Sequence, residues 1–187
     1  ILSVCFFVFI AGRALASCPT HEACLAGFQL ADAELVIEPV AVEPAISDPV
    51  AMAFDEDGKL YVAEMGDFQI GDDGEDAQSL GRVRLLTDRD GDGFYETSTV
   101  FATGITLPTT VLPLYGGVLV GAAPEVIFFK DGNGDGSADV RSVLLTGFGQ
   151  IRNESLLNSL LYGLDNWVYG CGNLSKGTVR VVGGSVG

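Results

Sequence analysis

Basic residues are scarce: Lys and Arg total 10 against 25 Asp and Glu, for a net charge of −15. A surface this acidic repels phosphate backbones, which argues against a nucleic-acid partner. Histidine occurs once, at His21, ahead of the region that reads as folded. A His-based triad or a His-rich zinc site inside the body is therefore not available. The sequence has no C-x-x-C-H haem attachment motif, no P-loop and no G-x-G-x-x-G phosphate fingerprint. No segment of useful length carries a helical period after the N-terminal run, and no residue can be assigned to catalysis or cofactor binding from its pattern.

What is abundant is apolar residues, at 48%, and glycine, with 25 residues, while charged residues reach only 19%. That balance suits a packed, turn-rich protein rather than a disordered one. The first stretch, "ILSVCFFVFIAG" (residues 1–12), is uncharged, apolar and too short to span a bilayer, which takes about 20 residues. It reads as the core of a secretory signal over residues 1–17 whose basic start is missing, so the sequence is expected to begin inside its reading frame. Two exits are open. "ALA" at Ala14–Ala16 fits ordinary signal peptidase, and "LASC" fits a lipobox in which Cys18 carries a lipid anchor. Either outcome implies an exported protein, periplasmic or at the cell surface. Without lipidation, Cys18 and Cys24 could close a small disulfide loop, and Cys171 in "VYGCGN" reads as a buried small apolar residue.

Residues 18–49 read as a stalk and lead-in, with an edge strand over residues 34–38 and Pro39, Pro44 and Pro49 arguing against a helix. From residue 50 to 187 the chain alternates short strands with Gly and Asp turns. "VAMAFDEDGKLYVAEM" predicts a hairpin at Asp57-Gly58, followed by strands in "GRVRLLTD" and "YETSTVFATGI". The pattern then restarts with two strands around Gly116-Gly117, "PEVIFFKD" and "SADVRSVLLTGFG". A third unit opens with "NSLLYGLDNWVYGCG" and "GTVRVV". Four short strands in 40 to 50 residues are the signature of a β-propeller blade. The expected fold is all-β: a partial β-propeller of about two and a half four-stranded blades, the rest of the ring lying beyond this sequence. An open antiparallel meander is the alternative.

The sharpest motif is duplicated. "LLTDRDGDGFYE" (85–96) places Asp88, Asp90, Asp92 and Glu96 at positions 1, 3, 5 and 9 of a loop, with the Phe94 carbonyl at position 7. "FFKDGNGDGSAD" (128–139) places Asp131, Asn133, Asp135 and Asp139 likewise, with the Ser137 carbonyl, at an offset of 131 − 88 = 43 residues. Calcium takes six to eight oxygen ligands from such alternating side chains and carbonyls. Position 12 holds Thr99 or Ser142 rather than a bidentate Glu, and strands flank both loops, so neither is an EF-hand. The competing reading is a solvated Asp-Gly turn. The repeated ligand spacing and the mutual repulsion of packed carboxylates favour calcium in a structural role.

Other polar positions are weaker. Glu64 ends a strand, and Arg152, Asn153 and Asn158 lie in a connection between units, where rim or structural roles are the ordinary outcome. Trp167 is expected to pack between blades. Asn153 and Asn173 begin glycosylation sequons, relevant only in a eukaryotic secretory route.

The wording of "DPVAMAFDEDGKLYVAEM", "GRVRLLTDRDGDGFYETSTVFATGI", "LTGFG" and "NSLLYGLDNWVYG" resembles the N-terminal propeller of the membrane-bound dehydrogenase family of planctomycetes and verrucomicrobia, over about residues 28–182. That family is distantly similar to the PQQ-dependent glucose/sorbosone dehydrogenases. The resemblance implies quinone-dependent oxidation of a sugar or alcohol, with PQQ and a haem c domain in the longer protein. The sugar dehydrogenases use a channel histidine as base, which this segment does not offer. The alternative is a non-catalytic cell-surface propeller that binds glycans or protein partners.

Overall fold

The computed structural model describes residues 25–32, 34–66, 79–150, 156–172 and 177–183. Every regular element among them is a strand, and all pairing is antiparallel. The first sheet is a meander of β1 (Pro49–Phe54), β2 (Leu60–Glu64), β3 (Gly81–Thr87) and β4 (Thr97–Ile105). The second runs β5 (Thr110–Leu114), β6 (Gly117–Ala122), β7 (Glu125–Lys130) and β8 (Val140–Thr146). A hairpin of β9 (Asn158–Tyr162) and β10 (Val168–Cys171) follows, and the two-residue β11 (Arg180–Val181) pairs with β8 at the edge of the second sheet.

Turn chemistry sets these boundaries. Between β1 and β2, Asp55 accepts the Asp57 and Lys59 N–H groups on Oδ1, and Gly58 takes φ 77°, a conformation glycine reaches without a Cβ clash. β5 and β6 turn at Tyr115-Gly116, both with positive φ, so the two-residue corner lies one position earlier than the glycine pair predicts. Gly117 instead opens β6, where a Cβ would collide with the Phe129 carbonyl and the Phe128 ring.

The sheets stack in chain order. Alternation aims Tyr61, Ala63, Val83 and Phe101 of the first sheet at Val118, Val120, Ile127 and Phe129 of the second, which forms the largest apolar cluster. Tyr61 meets Phe101 edge to face, with centroids 5.1 Å apart. The far side of the second sheet, with Leu119, Val126 and Phe128, packs on Leu157 and Leu160. The central strands β2 and β6 are buried along their whole length, because each has a layer on both faces.

Four sequence expectations are corrected. Residues 34–38 join no strand ladder, although Val40 and Ile46 further on are buried against Leu60, Val62 and Leu86. "GTVRVV" contributes only Arg180–Val181, which extend the second sheet instead of completing a third. Cys171 is exposed and Trp167 is 70% exposed, since the described residues put no layer beyond the β9–β10 hairpin. The signal, Cys18, Cys24, His21, Arg152, Asn153 and Asn173 lie outside the described residues.

Candidate metal centre

Both acidic loops connect the third and fourth strands of a sheet, and both fold on the same hydrogen-bond scaffold. In the first, Asp88 accepts the Gly91 N–H on Oδ1 (2.7 Å) and the Gly93 N–H on Oδ2 (2.9 Å). In the second, Asp131 accepts Gly134 on Oδ1 (2.6 Å) and Gly136 on Oδ2 (2.8 Å). Next along, Asp90 accepts the Asp92 N–H and Asn133 accepts the Asp135 N–H. Asp92 and Asp135 accept the N–H groups of Phe94 and Ser137 at 2.8 and 2.9 Å. Finally Glu96 reaches back to the Arg89 N–H and Asp139 to the Gly132 N–H. Each of these five bonds has its counterpart 43 residues away (131 − 88), and Asp131 Oδ1 additionally accepts the Asn133 N–H.

Four of the five loop glycines hold positive φ: Gly91 78°, Gly93 93°, Gly134 84° and Gly136 88°. Two left-handed positions per loop fold successive N–H groups around the first aspartate, where any Cβ would strain the backbone. The Gly93 and Gly136 amides, with the others behind them, hold the Asp88 and Asp131 carboxyls below the ordinary aspartate range. Both side chains are thereby kept charged and aimed.

In the first loop carboxylate oxygens of Asp88, Asp90 and Glu96 come within 4.8 Å of one another. Asp92, the fourth predicted ligand, stands outside that group. The second loop has Asn133 in place of Asp90, and Asp131, Asp135 and Asp139 form no group of that kind. The donor set, hard oxygens on alternating residues of a tight loop, fits calcium better than any softer ion. Three gathered carboxylates without a basic side chain bonded to them also repel one another, and a divalent cation would relieve this.

The two carbonyl positions gain a support that the sequence does not announce. Tyr95 N–H donates to the Val40 carbonyl and Ala138 N–H donates to the Phe101 carbonyl, each at 2.7 Å. These amides share a peptide plane with the Phe94 and Ser137 carbonyls, so the neighbouring segment fixes the orientation of both. Ser137 Oγ further donates to Val100 O. The second loop is thus stitched to β4 of the first sheet.

Glu64, at the end of β2, is 2% exposed, paired with Arg82 of β3 and approached by Arg84 Nε at 3.4 Å. Its Oε1 accepts the Ser47 N–H, and Arg82 Nη2 donates to Ser47 Oγ. The cluster ties the lead-in to the first sheet, since Ser47 bonds both Glu64 and Arg82. Asn158, another candidate, caps its own neighbour by accepting the Ser159 N–H. A cavity of about 460 Å³ lies between the second sheet and β9–β10, lined by Leu119, Val126, Leu144, Phe148, Leu160 and Val168 among others. A tricarboxylate quinone finds no charged donor in that lining and does not fit there.

Stacked antiparallel sheets, two of them carrying matching acidic corner loops, define an all-β protein whose first loop gathers the carboxylates of Asp88, Asp90 and Glu96. The family described as Domain of unknown function (DUF7133) matches residues 21–186, and the chain belongs to that family. No curated protein and no solved structure matches it.

Proposed function

We propose that this chain forms part of an exported, calcium-stabilised β-propeller, each ion pinning the corner between the third and fourth strands of a blade. The duplicated loop scaffold carries the reading: two corners 43 residues apart share the same hydrogen bonds, glycine conformations and stitches to the preceding layer. Asp88, Asp90, Asp92 and Glu96 would hold one ion with the Phe94 carbonyl; Asp131, Asn133, Asp135 and Asp139 would hold the other with the Ser137 carbonyl. The ions would be structural, each held where a loop links two neighbouring strands of one sheet. Stripping metal with a chelator and restoring calcium should lower and then recover the melting temperature. An unchanged melting curve refutes the assignment.

For the full-length protein we infer a sugar or alcohol dehydrogenase, supported by the family resemblance of the blade sequences. The apolar cavity beside β9–β10 offers PQQ no charged donor, and no catalytic step is derived from the described residues. Export, with either release after Ala16 or a lipid on Cys18, belongs to the same proposal. Assay of full-length protein with PQQ and an artificial electron acceptor over a panel of sugars and alcohols tests it; no turnover and no quinone binding would remove the enzymatic reading. A glycan- or protein-binding propeller is the second reading.

A further inference from the structure

The lead-in segment occupies a place in the layer order that its lack of strand pairing conceals. Val40 precedes the first residue of β1 by nine positions (49 − 40), and Phe101 precedes the first residue of β5 by the same number (110 − 101). Both carbonyls accept the equivalent amide of the following corner loop, Tyr95 for Val40 and Ala138 for Phe101. Val40 is buried in a cluster with Leu60, Val62 and Leu86; Phe101 shares one with Val118, Val120 and Phe129, which hold the corresponding positions of the second sheet. Six residues further on, Ile46 and Leu107 are again both buried. Phe101 belongs to β4, the outer strand of its sheet. By every one of these relations, Val40 belongs to the outer strand of a sheet that would precede the first.

We infer that residues 35–42 are the fourth, outer strand of the ring-closing blade. The inference rests on the propeller reading, because only in a ring is the layer before the first also the last. Its occupant is therefore the three inner strands of the last blade of the same ring, added to the free edge of residues 35–42. The segment suits that role. Among the described residues the N–H groups of Val36, Ile37 and Glu38 donate to no backbone carbonyl, leaving an edge that can be paired. Leu35 and Val36 are exposed, and Pro39 is tolerated on an outermost strand but not on a central one. A strand supplied from the start of the chain to the end of the ring closes it by hydrogen bonds rather than by loop geometry.

Hydrogen exchange of the full-length protein, read on peptides covering residues 34–42 and combined with small-angle scattering, tests this. Expected is a disc-shaped particle with exchange slowed at least about 100-fold relative to the unfolded peptide and independent of protein concentration. A disc in which these amides exchange at the unfolded rate overturns the closing strand and leaves the propeller intact. An extended particle overturns both. Protection that appears only as the protein dimerises assigns the edge to a second copy and overturns closure within one ring.

Discussion

Single side chains decide whether the corner loops hold together. Asp88 and Asp131 have carboxyl groups pulled below the ordinary value of 3.8 by the backbone amides they accept. A depressed folded-state value means the stabilisation is complete above the unfolded value and is lost as pH falls through the folded one. Acid titration should therefore leave the melting temperature level down to about pH 4 and then lower it, and D88N and D131N should each flatten that acid limb. Calcium protection should weaken over the same window as protons compete for the ligands. Glu64 makes a different prediction. E64Q leaves Arg82 and Arg84 without their anion at a site where the carboxylate is 2% exposed, and should cost about 3 kcal/mol in chemical denaturation. A loss below about 1 kcal/mol would show that solvent already screens the pair. The corner loops themselves were legible in the sequence because acid spacing and glycine position are written there. The Glu64 cluster was not, since its partners Ser47, Arg82 and Arg84 are 17 to 20 residues away and only the register of β2 on β3 brings them together.

At the level of strands and turns, reading failed where tertiary pairing outweighs local pattern. Alternation and Asp-Gly punctuation located β1 to β8 closely, because each is bounded by residues whose backbone demands are local. "GTVRVV" resembles "GRVRLL" yet adds to the edge of β8, where Gly147 (φ 99°) packs against the Thr178 carbonyl. Residues 34–38 have strand-like composition, but a strand needs a partner and the described residues supply none. Trp167 and Cys171 have the composition of a core and lie on a face above which the described residues put no layer. Gly81 tests the element scale. A Cβ there would collide with the Ile105 carbonyl and the Pro108 ring, at the junction where β3 meets the end of β4. G81A should destabilise by about 1 to 3 kcal/mol, measured by denaturant midpoint at constant slope. A neutral result would mean that β4 can withdraw from β3 at this end.

Across the whole molecule, stability resides in the contact between layers, and one buried phenol reports on it. Tyr61 stands between the first and second sheets, and burial raises its hydroxyl to about 12, with Asp55 and other acids adding to the rise. A raised value favours the neutral form in the folded state. Stability should hold up to about pH 10, fall between pH 10 and about 12 as the unfolded phenol ionises first, and lose that dependence in Y61F. The acidic surface, with a net charge of −15, adds self-repulsion that cations would relieve, so general salt and specific calcium effects must be separated. Calorimetric titration of chelator-stripped protein with calcium, repeated with magnesium at the same ionic strength, does so most directly. Two calcium ions should bind per chain with magnesium much weaker, D88N and D131N each removing one site; no saturable heat with calcium, or equal heats with both ions, would contradict the calcium-pinned corners.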